Sequence, residues 1–373
     1  MDFIDLKTQQ QAILPALQES IRRVLAHGQY IMGPEVGELE ERLAAYVGVK
    51  HAISCSSGTD ALLMPLLAYG VGPGDAIFTT PFTFIATAEV VRLLGATPIF
   101  VDIDPHTFNI DPEALARALA GLTHDARFSS LRPRGIIAVD LFGQPADYEA
   151  INTLAQQYQL FVIEDAAQSF GATYQGRRAG ALAHCAATSF FPAKPLGGYG
   201  DGGAIFTDDD ELAEILRSIR NHGQGRDRYE HIRIGLNGRL DTLQAAVLLV
   251  KMDIFDQELA ARQEVANRYS RGLADLVVIP TVAPGRTSVW AQYSVLSDRR
   301  QEFMDRLRAH GVPTAIYYPR PLHQQQAFAD LGYQLGDLPV SERIAQQIFS
   351  LPMHPYLKAS DQARIIDILR GSN

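Results

Sequence analysis

Residues 135–168 read GIIAVDLFGQPADYEAINTLAQQYQLFVIEDAAQ, and this stretch decides the fold. Gly135–Phe142 is an apolar run with no polar alternation, as expected of a strand covered on both faces. Tyr148–Gln157 has helical spacing, and Leu160–Asp165 is a second apolar run. Strand, helix, strand at this spacing is the building unit of a parallel sheet. The same rhythm continues upstream. Ala52–Cys55, Ala76–Thr80 and Thr97–Ile103 are expected strands, with helices over Asp60–Ala68 and Thr87–Leu94. A further helix begins at Asp111-Pro112 and runs through Leu119, with Asp111 as its cap and Pro112 in the first turn. Downstream, Ala187–Phe191 and Gly203–Thr207 are two more short strands. The expected fold is α/β, with a mostly parallel sheet flanked by helices.

The pattern changes after Asn221. A loop rich in Gly and Arg, His222–Arg239, leads into an expected long helix from Asp241 to about Gly272. Beyond it, Trp290–Leu296 and Thr314–Tyr318 are expected strands, and Gln301–His310, Ser341–Phe349 and Asp361–Leu369 helices. The expected division is a large domain over 1–250 and a smaller C-terminal α+β domain over 251–373.

The chain has 373 residues, 47% apolar and 20% charged, which suits a globular protein with a full core. Its 33 Lys and Arg against 42 Asp and Glu give a net charge of −9 with no basic stripe, which excludes a typical nucleic-acid binder. No apolar stretch reaches the roughly 18–20 residues that span a bilayer, so no membrane partner is expected. The opening MDFIDLKTQQ lacks a signal pattern, and a cytoplasmic location is expected. Cys55 and Cys185 cannot form a disulfide framework and have no metal-ligand spacing, so no metal is expected.

Gly198-Tyr199-Gly200-Asp201-Gly202-Gly203 satisfies G-x-G-x-x-G but leads into a strand, whereas a dinucleotide site needs it to open a helix. Four other features converge. Ser56-Ser57-Gly58-Thr59-Asp60 lies between a strand and a helix, where small residues let backbone N–H groups meet an anion; a plain helix cap also accounts for it. Glu164-Asp165 ends an apolar strand at the edge where open α/β sheets bind ligands, or is a solvated pair. Lys194 lies between prolines in an apolar setting, where a desolvated amine becomes nucleophilic; a surface lysine is the plainer reading. Phe82 and Phe84 follow a strand end and suit either a flat ligand or the core. An anion cradle, an acid, an amine and an aromatic lid together describe pyridoxal 5′-phosphate.

On these residues the chain resembles the DegT/DnrJ/EryC1/StrS sugar aminotransferases, fold-type-I pyridoxal enzymes. The resemblance runs nearly end to end, through GQYIMGPEV (28–36), SSGTDAL (56–62), TTPFTFIATAEV (79–90), VIEDAAQSFGA (162–172), TSFFPAKPLGGYGDGGAIFT (188–207), GLNGRLDTLQAA (235–246) and LPMHPYL (351–357). It implies that Lys194 bonds the cofactor aldehyde and shuttles the proton, while Asp165 pairs with the ring nitrogen. Gln168 would lie near the ring hydroxyl and Phe84 would stack on the ring. Gly58, Thr59, Asp60 and Ser189 would form the phosphate site, completed by Asn237 of a neighbouring subunit in a homodimer.

Tyr317-Tyr318-Pro319 departs from a His-Tyr-Pro common among relatives, in a segment that would contact the sugar. Arg239, two residues after Asn237, is expected to bind a carboxylate of L-glutamate or of a sugar acid. The implied activity moves an amino group from L-glutamate to a keto group of a nucleotide-linked sugar. The nearest likeness is to enzymes for UDP-2-acetamido-2-deoxy-3-keto-glucuronic acid in bacterial surface-polysaccharide synthesis. Other UDP or dTDP keto sugars are the alternative. A sugar dehydratase would carry histidine in place of Lys194, and a non-catalytic regulator has little use for lysine, aspartate and aromatic together.

Overall fold

The computed structural model describes residues 1–371. The strands are β1 (His51–Cys55), β2 (Asp75–Thr79), β3 (Thr97–Phe100), β4 (Arg132–Val139), β5 (Phe161–Asp165), β6 (Thr173–Tyr174), β7 (Arg177–Arg178), β8 (Cys185–Ser189), β9 (Gly203–Thr207), β10 (Tyr293–Leu296) and β11 (Ile348–Leu351). The helices are α1 (Leu6–His27), α2 (Pro34–Val47), α3 (Gly58–Ala68), α4 (Ala86–Leu93), α5 (Pro112–Gly121), α6 (Tyr148–Tyr158), α7 (Asp210–Arg220), α8 (Thr242–Met252), α9 (Phe255–Leu273), α10 (Arg300–Ala309), α11 (Pro339–Gln347) and α12 (Ala359–Arg370).

The central sheet has the order β1-β9-β8-β5-β4-β2-β3. All its neighbours pair in parallel except β9, which is antiparallel to both β1 and β8. The strands are apolar on both faces because both faces are covered. Ile53, Ile77, Ile137, Ile163 and Ile205 meet α3, α4 and α7. Phe78, Ile136, Ala138 and Val162 point the other way, onto α5 and α6. Ala52, Ala186, Ala204 and Phe206 on that second face meet α2 and α8. A separate core, drawn from Val265 to Leu369, joins α9, α10 and α12 to the β10–β11 pair.

Several expectations are corrected. β8 and β9 are not parallel partners. No helix separates them to carry the chain back across the sheet, and they form an antiparallel pair. β8 also starts and ends two residues earlier than expected, and β3 stops at Phe100. β4 ends at Val139, where a single 3-10 turn, Leu141–Gly143, holds Phe142 at φ 60°. The expected helix from 241 to 272 is two helices, α8 and α9. Asp253 and Ile254 break it with three-residue hydrogen bonds to Val250 and Lys251. The bend lets α8 face the sheet and α9 face the second core.

Thr314–Tyr318 is not a strand; only Ala315 pairs, with Ser350. Pro313 and Pro319 bracket it and lack the N–H a ladder needs. Phe349 belongs to β11 rather than to a helix, and the Trp290 end of the other expected strand lies outside β10, with Trp290 at φ 52°. Helices α1, α2 and α7 had no counterpart in the sequence reading. Among the described residues, no helix is long and apolar enough to cross a membrane.

Candidate active site

The site forms at the carboxyl ends of β5 and β8, where the loops that follow supply the polar groups. Asp165 is the last residue of β5 and only 5% exposed. Its Oδ2 accepts from Thr87 Oγ1 at 2.9 Å, and Thr83 Oγ1 lies 3.1 Å from Thr87 Oγ1. Its Oδ1 accepts from the Ala167 N–H at 3.3 Å. Burial pushes the Asp165 carboxyl up, while the Thr87 hydroxyl, the Lys194 charge and the Ala167 amide oppose this. Burial pushes Lys194 down, and the Asp165 charge opposes that in turn. The two groups therefore feel each other electrostatically inside one enclosed region.

Lys194 sits on the β8–β9 loop, and its N–H donates to the Phe191 carbonyl at 2.8 Å. Helix α8 clamps this loop from behind. The buried Lys251 donates from Nζ to the Gly197 carbonyl at 2.6 Å, and Gln244 Oε1 accepts from the Tyr199 N–H at 2.8 Å. Lys251 also lies 4.3 Å from the Tyr199 ring centre, and burial holds its pKa down to about 8.

The turn before α3 meets β8 closely. A Cβ on Gly58 would come within 2.6 Å of the Ser189 Cβ, so only glycine lets the helix start beside that serine. Ser57 caps α3 by accepting from the Asp60 N–H at 3.0 Å, and the Asp60 carboxylate accepts from Ser56 Oγ. Thr59 follows in the first turn, partly exposed. The plain cap is therefore present, and Ser57 engages only the Asp60 amide of the first turn.

Gln168 is 6% exposed. Its Oε1 accepts from the Phe142 N–H at 2.7 Å, and its Nε2 donates to the Tyr318 hydroxyl at 3.3 Å. Tyr317 is half-buried, with its ring 6.3 Å from that of Phe3. Phe84 is 55% exposed at the start of α4, next to Thr83. Asn237 is exposed and bridges the backbone of Asn221, while the following Gly238 carbonyl accepts from the Ser56 N–H at 3.1 Å. Arg239 Nη1 donates to Asn221 Oδ1 at 2.7 Å, and its Nε is buried with no partner.

The solvated-pair reading of Glu164-Asp165 is overturned. Glu164 is fully buried on the opposite sheet face, accepting from the Gly180 and Leu182 amides. Cys55 and Cys185 are free and buried, and burial raises both thiols. The sequence reading missed Thr83, just before α4, and Thr87, in its first turn, whose hydroxyls the structure brings together. It also missed Lys251 and Gln244, which no local pattern marks.

The comparisons with known proteins agree with this geometry. Residues 12–370 match the DegT/DnrJ/EryC1/StrS aminotransferase family. The chain is 54% identical, over 96% of its own length and 96% of the other's, to a UDP-2-acetamido-2-deoxy-3-oxo-D-glucuronate aminotransferase of Pseudomonas aeruginosa. It superposes with a TM-score of 0.97 on a DegT/DnrJ/EryC1/StrS aminotransferase from Brucella abortus, at 50% identity and covering 100% of this chain and 99% of that one. S. venezuelae DesV, solved with a ketimine intermediate, gives a TM-score of 0.94 at 39% identity, covering 100% and 98%. The chain belongs to the DegT/DnrJ/EryC1/StrS aminotransferase family and is a pyridoxal-phosphate-dependent aminotransferase.

Proposed function

We propose that this enzyme transfers the amino group of L-glutamate to the C3 keto group of UDP-2-acetamido-2-deoxy-3-keto-glucuronic acid. The product class feeds bacterial surface polysaccharide, lipopolysaccharide included, and the proposed compartment is the cytoplasm. The 54% identity to the Pseudomonas aeruginosa enzyme supports the sugar. The observation that carries the chemistry is the placement of the buried Asp165 at the end of β5, beside the β8 strand end from which the Lys194 loop departs.

The residues fit pyridoxal phosphate. The open amides of the α3 start beside Ser189 suit its phosphate, and a Cβ on Gly58 would fill that cradle. Bound there, the cofactor supplies a ring that accepts the electron pair released at the donor's carbon. Asp165 holds a proton at the ring nitrogen, and Thr87 keeps that carboxylate charged and aimed. Lys194 Nζ takes and returns the proton at the reacting carbon. Burial favours its neutral amine, the form that can act as base. Gln168, held by the Phe142 amide and Tyr318, orients the ring's oxygen edge. Phe84 covers the ring face, Thr59 presents its backbone amide to the phosphate, and Asp60, whose own amide is taken by Ser57, orders the turn by accepting from Ser56 Oγ.

The assembly proposed is a homodimer with shared sites, in which Asn237 completes the partner's phosphate cradle and Arg239 takes a substrate carboxylate there. The exposed Tyr30, Ile31, Met32, Tyr229, Ile232 and Ile234 support a protein partner over these segments. Tyr317 and Tyr318 are assigned to the sugar side. The same reading keeps 1–250 as the cofactor-bearing domain and 251–373 as the smaller one. The core drawn wholly from Val265 to Leu369 supports this, although Phe255 packs with the large sheet. A panel of UDP and dTDP keto sugars, assayed with glutamate, tests the substrate. A faster turnover of another sugar would replace this one.

A further inference from the structure

Behind the Lys194 loop lies a small recess that the aminotransfer chemistry has not used. It measures about 10 Å³ and is lined by Gln9 of α1, Pro192 and Lys194 of the β8–β9 loop, Arg262 of α9, and His354 and Tyr356 near the C-terminus. Three of these side chains are more than nine-tenths buried: Gln9 at 7%, Arg262 at 4% and His354 at 4%. Each leaves one polar atom with no partner, namely Gln9 Oε1, Arg262 Nε and His354 Nδ1. A buried polar atom is costly to leave unpartnered. Three of them around one cavity point to a ligand.

Their other bonds fix their orientation. Gln9 Nε2 donates to both oxygens of Glu258 at 2.9 Å, so its carbonyl oxygen is the atom turned away. Arg262 Nη1 donates to the Trp290 and Met353 carbonyls, at 3.1 and 3.4 Å. In His354 the atom left over is Nδ1. Burial, with Arg262 beside it, favours the neutral ring against the opposing charges of Asp5 and Asp2. The set therefore offers one donor, Arg262 Nε–H, and two acceptors, Gln9 Oε1 and His354 Nδ1. A water molecule accepts one and donates two. The volume is close to the roughly 10–15 Å³ that one water requires and too small for a carboxylate.

We propose that this cavity holds a single ordered water, bonded to Gln9, Arg262 and His354, and that this water exchanges hydrogen with Lys194. Its remaining lone pair is free for a further donor, and Lys194 lines the same space. In the exchange, an N–H bond of the Lys194 ammonium breaks as an O–H bond forms, and an O–H of the water passes its hydrogen to His354 Nδ1. The return leg restores both. The water site stands on geometry alone, while the exchange role rests on the assignment of Lys194 as the proton shuttle.

The test has two arms. A high-resolution crystal structure of the full chain with cofactor should show one water within hydrogen-bond distance of all three atoms. An empty cavity, or a water on fewer than two of them, overturns the site. The second arm supplies α-deuterated glutamate and measures how much deuterium is retained in the pyridoxamine phosphate formed. His354→Phe, which removes Nδ1 and fills the space, should raise retention, and Gln9→Leu should do so if the first variant fails to fold. Unchanged retention in a folded variant whose cavity has lost its water overturns the exchange role. Failure of the wild type to convert glutamate would overturn that role together with the aminotransferase reading, and the crystallographic arm would still decide the water.

Discussion

Asp165 and Asn237 occupy opposite kinds of ground. Asp165 ends a central strand, with β4 and β8 on either side, and its carboxylate is held by Thr87 and Ala167 of its own chain. Asn237 follows a loop on which Tyr229 is 81% and Ile234 84% exposed. The acid that meets the cofactor ring needs one position in a low-dielectric setting, and a strand end between two neighbours supplies it. The loop near Asn237 displays large apolar side chains that a lone chain leaves uncovered. On the proposed reading, one chain builds the reactive half of the site and a second chain closes the binding half.

The largest expected effect breaks the reactive half. Lys194→Ala should abolish turnover, a loss of at least about 10⁴-fold, because it removes both the amine and the proton carrier. Single-turnover absorbance with glutamate checks this; a variant that still bleaches the yellow cofactor band would dismiss the assignment. Mixing is the sharpest test of the contrast between the halves. Lys194→Ala and Asn237→Ala subunits, each inactive or weak alone, should regain activity when exchanged, because one site of the heterodimer then carries neither lesion. No recovery after exchange, verified by mass, would mean that each chain completes its own site.

Arg239→Lys keeps the charge and loses the fork, and should lower kcat/KM by an amount worth about 2–5 kcal/mol in the half-reaction whose carboxylate it binds. Equal kcat/KM in both halves would leave Arg239 as the partner of Asn221 only. Thr87→Val should cost less, about 1.5–3 kcal/mol of support for the charged carboxylate. The sign follows from the hydroxyl: it favours the ionised form, so its loss raises the Asp165 pKa. The acid limb of the kcat/KM profile should then move to higher pH. A limb that stays in place would mean that Thr87 does not govern this carboxyl.

The smallest effect concerns the buried pair beneath the site. Asp140 accepts from Ala146 N–H, Tyr148 OH and Ser169 Oγ, and burial still pushes its pKa up to about 7, with Glu164 also raised. A carboxyl with a raised folded pKa binds more protons folded than unfolded. Stability should therefore be fully present below about pH 4 and decline as pH rises toward 7. Asp140→Asn should flatten this slope in urea unfolding at pH 5 and 7.5. An unchanged slope would assign the pH dependence elsewhere.

The strands of the sheet were legible because each is a short apolar run, and a strand buried on both faces cannot be written otherwise. Asp165, Gln168 and Lys194 were legible because family motifs surround them. α1, α2 and α7 were missed although their buried residues recur at helical spacing, as Leu212, Ala213, Leu216 and Ile219 do in α7. The direction of β9 also escaped, because the connection between strands carries that information and the runs themselves do not. Thr87 was hidden beside more conspicuous aromatics.

By itself, then, the amino-acid sequence determined the layered α/β class and, through the family motifs, which acid, amine and turn to propose for the cofactor. Each of these depends on local chemistry: apolar period, residue type, and small residues where backbone must approach an anion. Only the tertiary structure decided that Glu164 is buried rather than solvated, since the distant Gly180 and Leu182 amides fold onto its carboxylate. It alone brought Thr87 onto Asp165 and Lys251 onto the lysine loop, contacts made across 78 residues in the first case and 54 in the second. Pairings at such separation arise from how the helices settle on the sheet, and no local pattern encodes them.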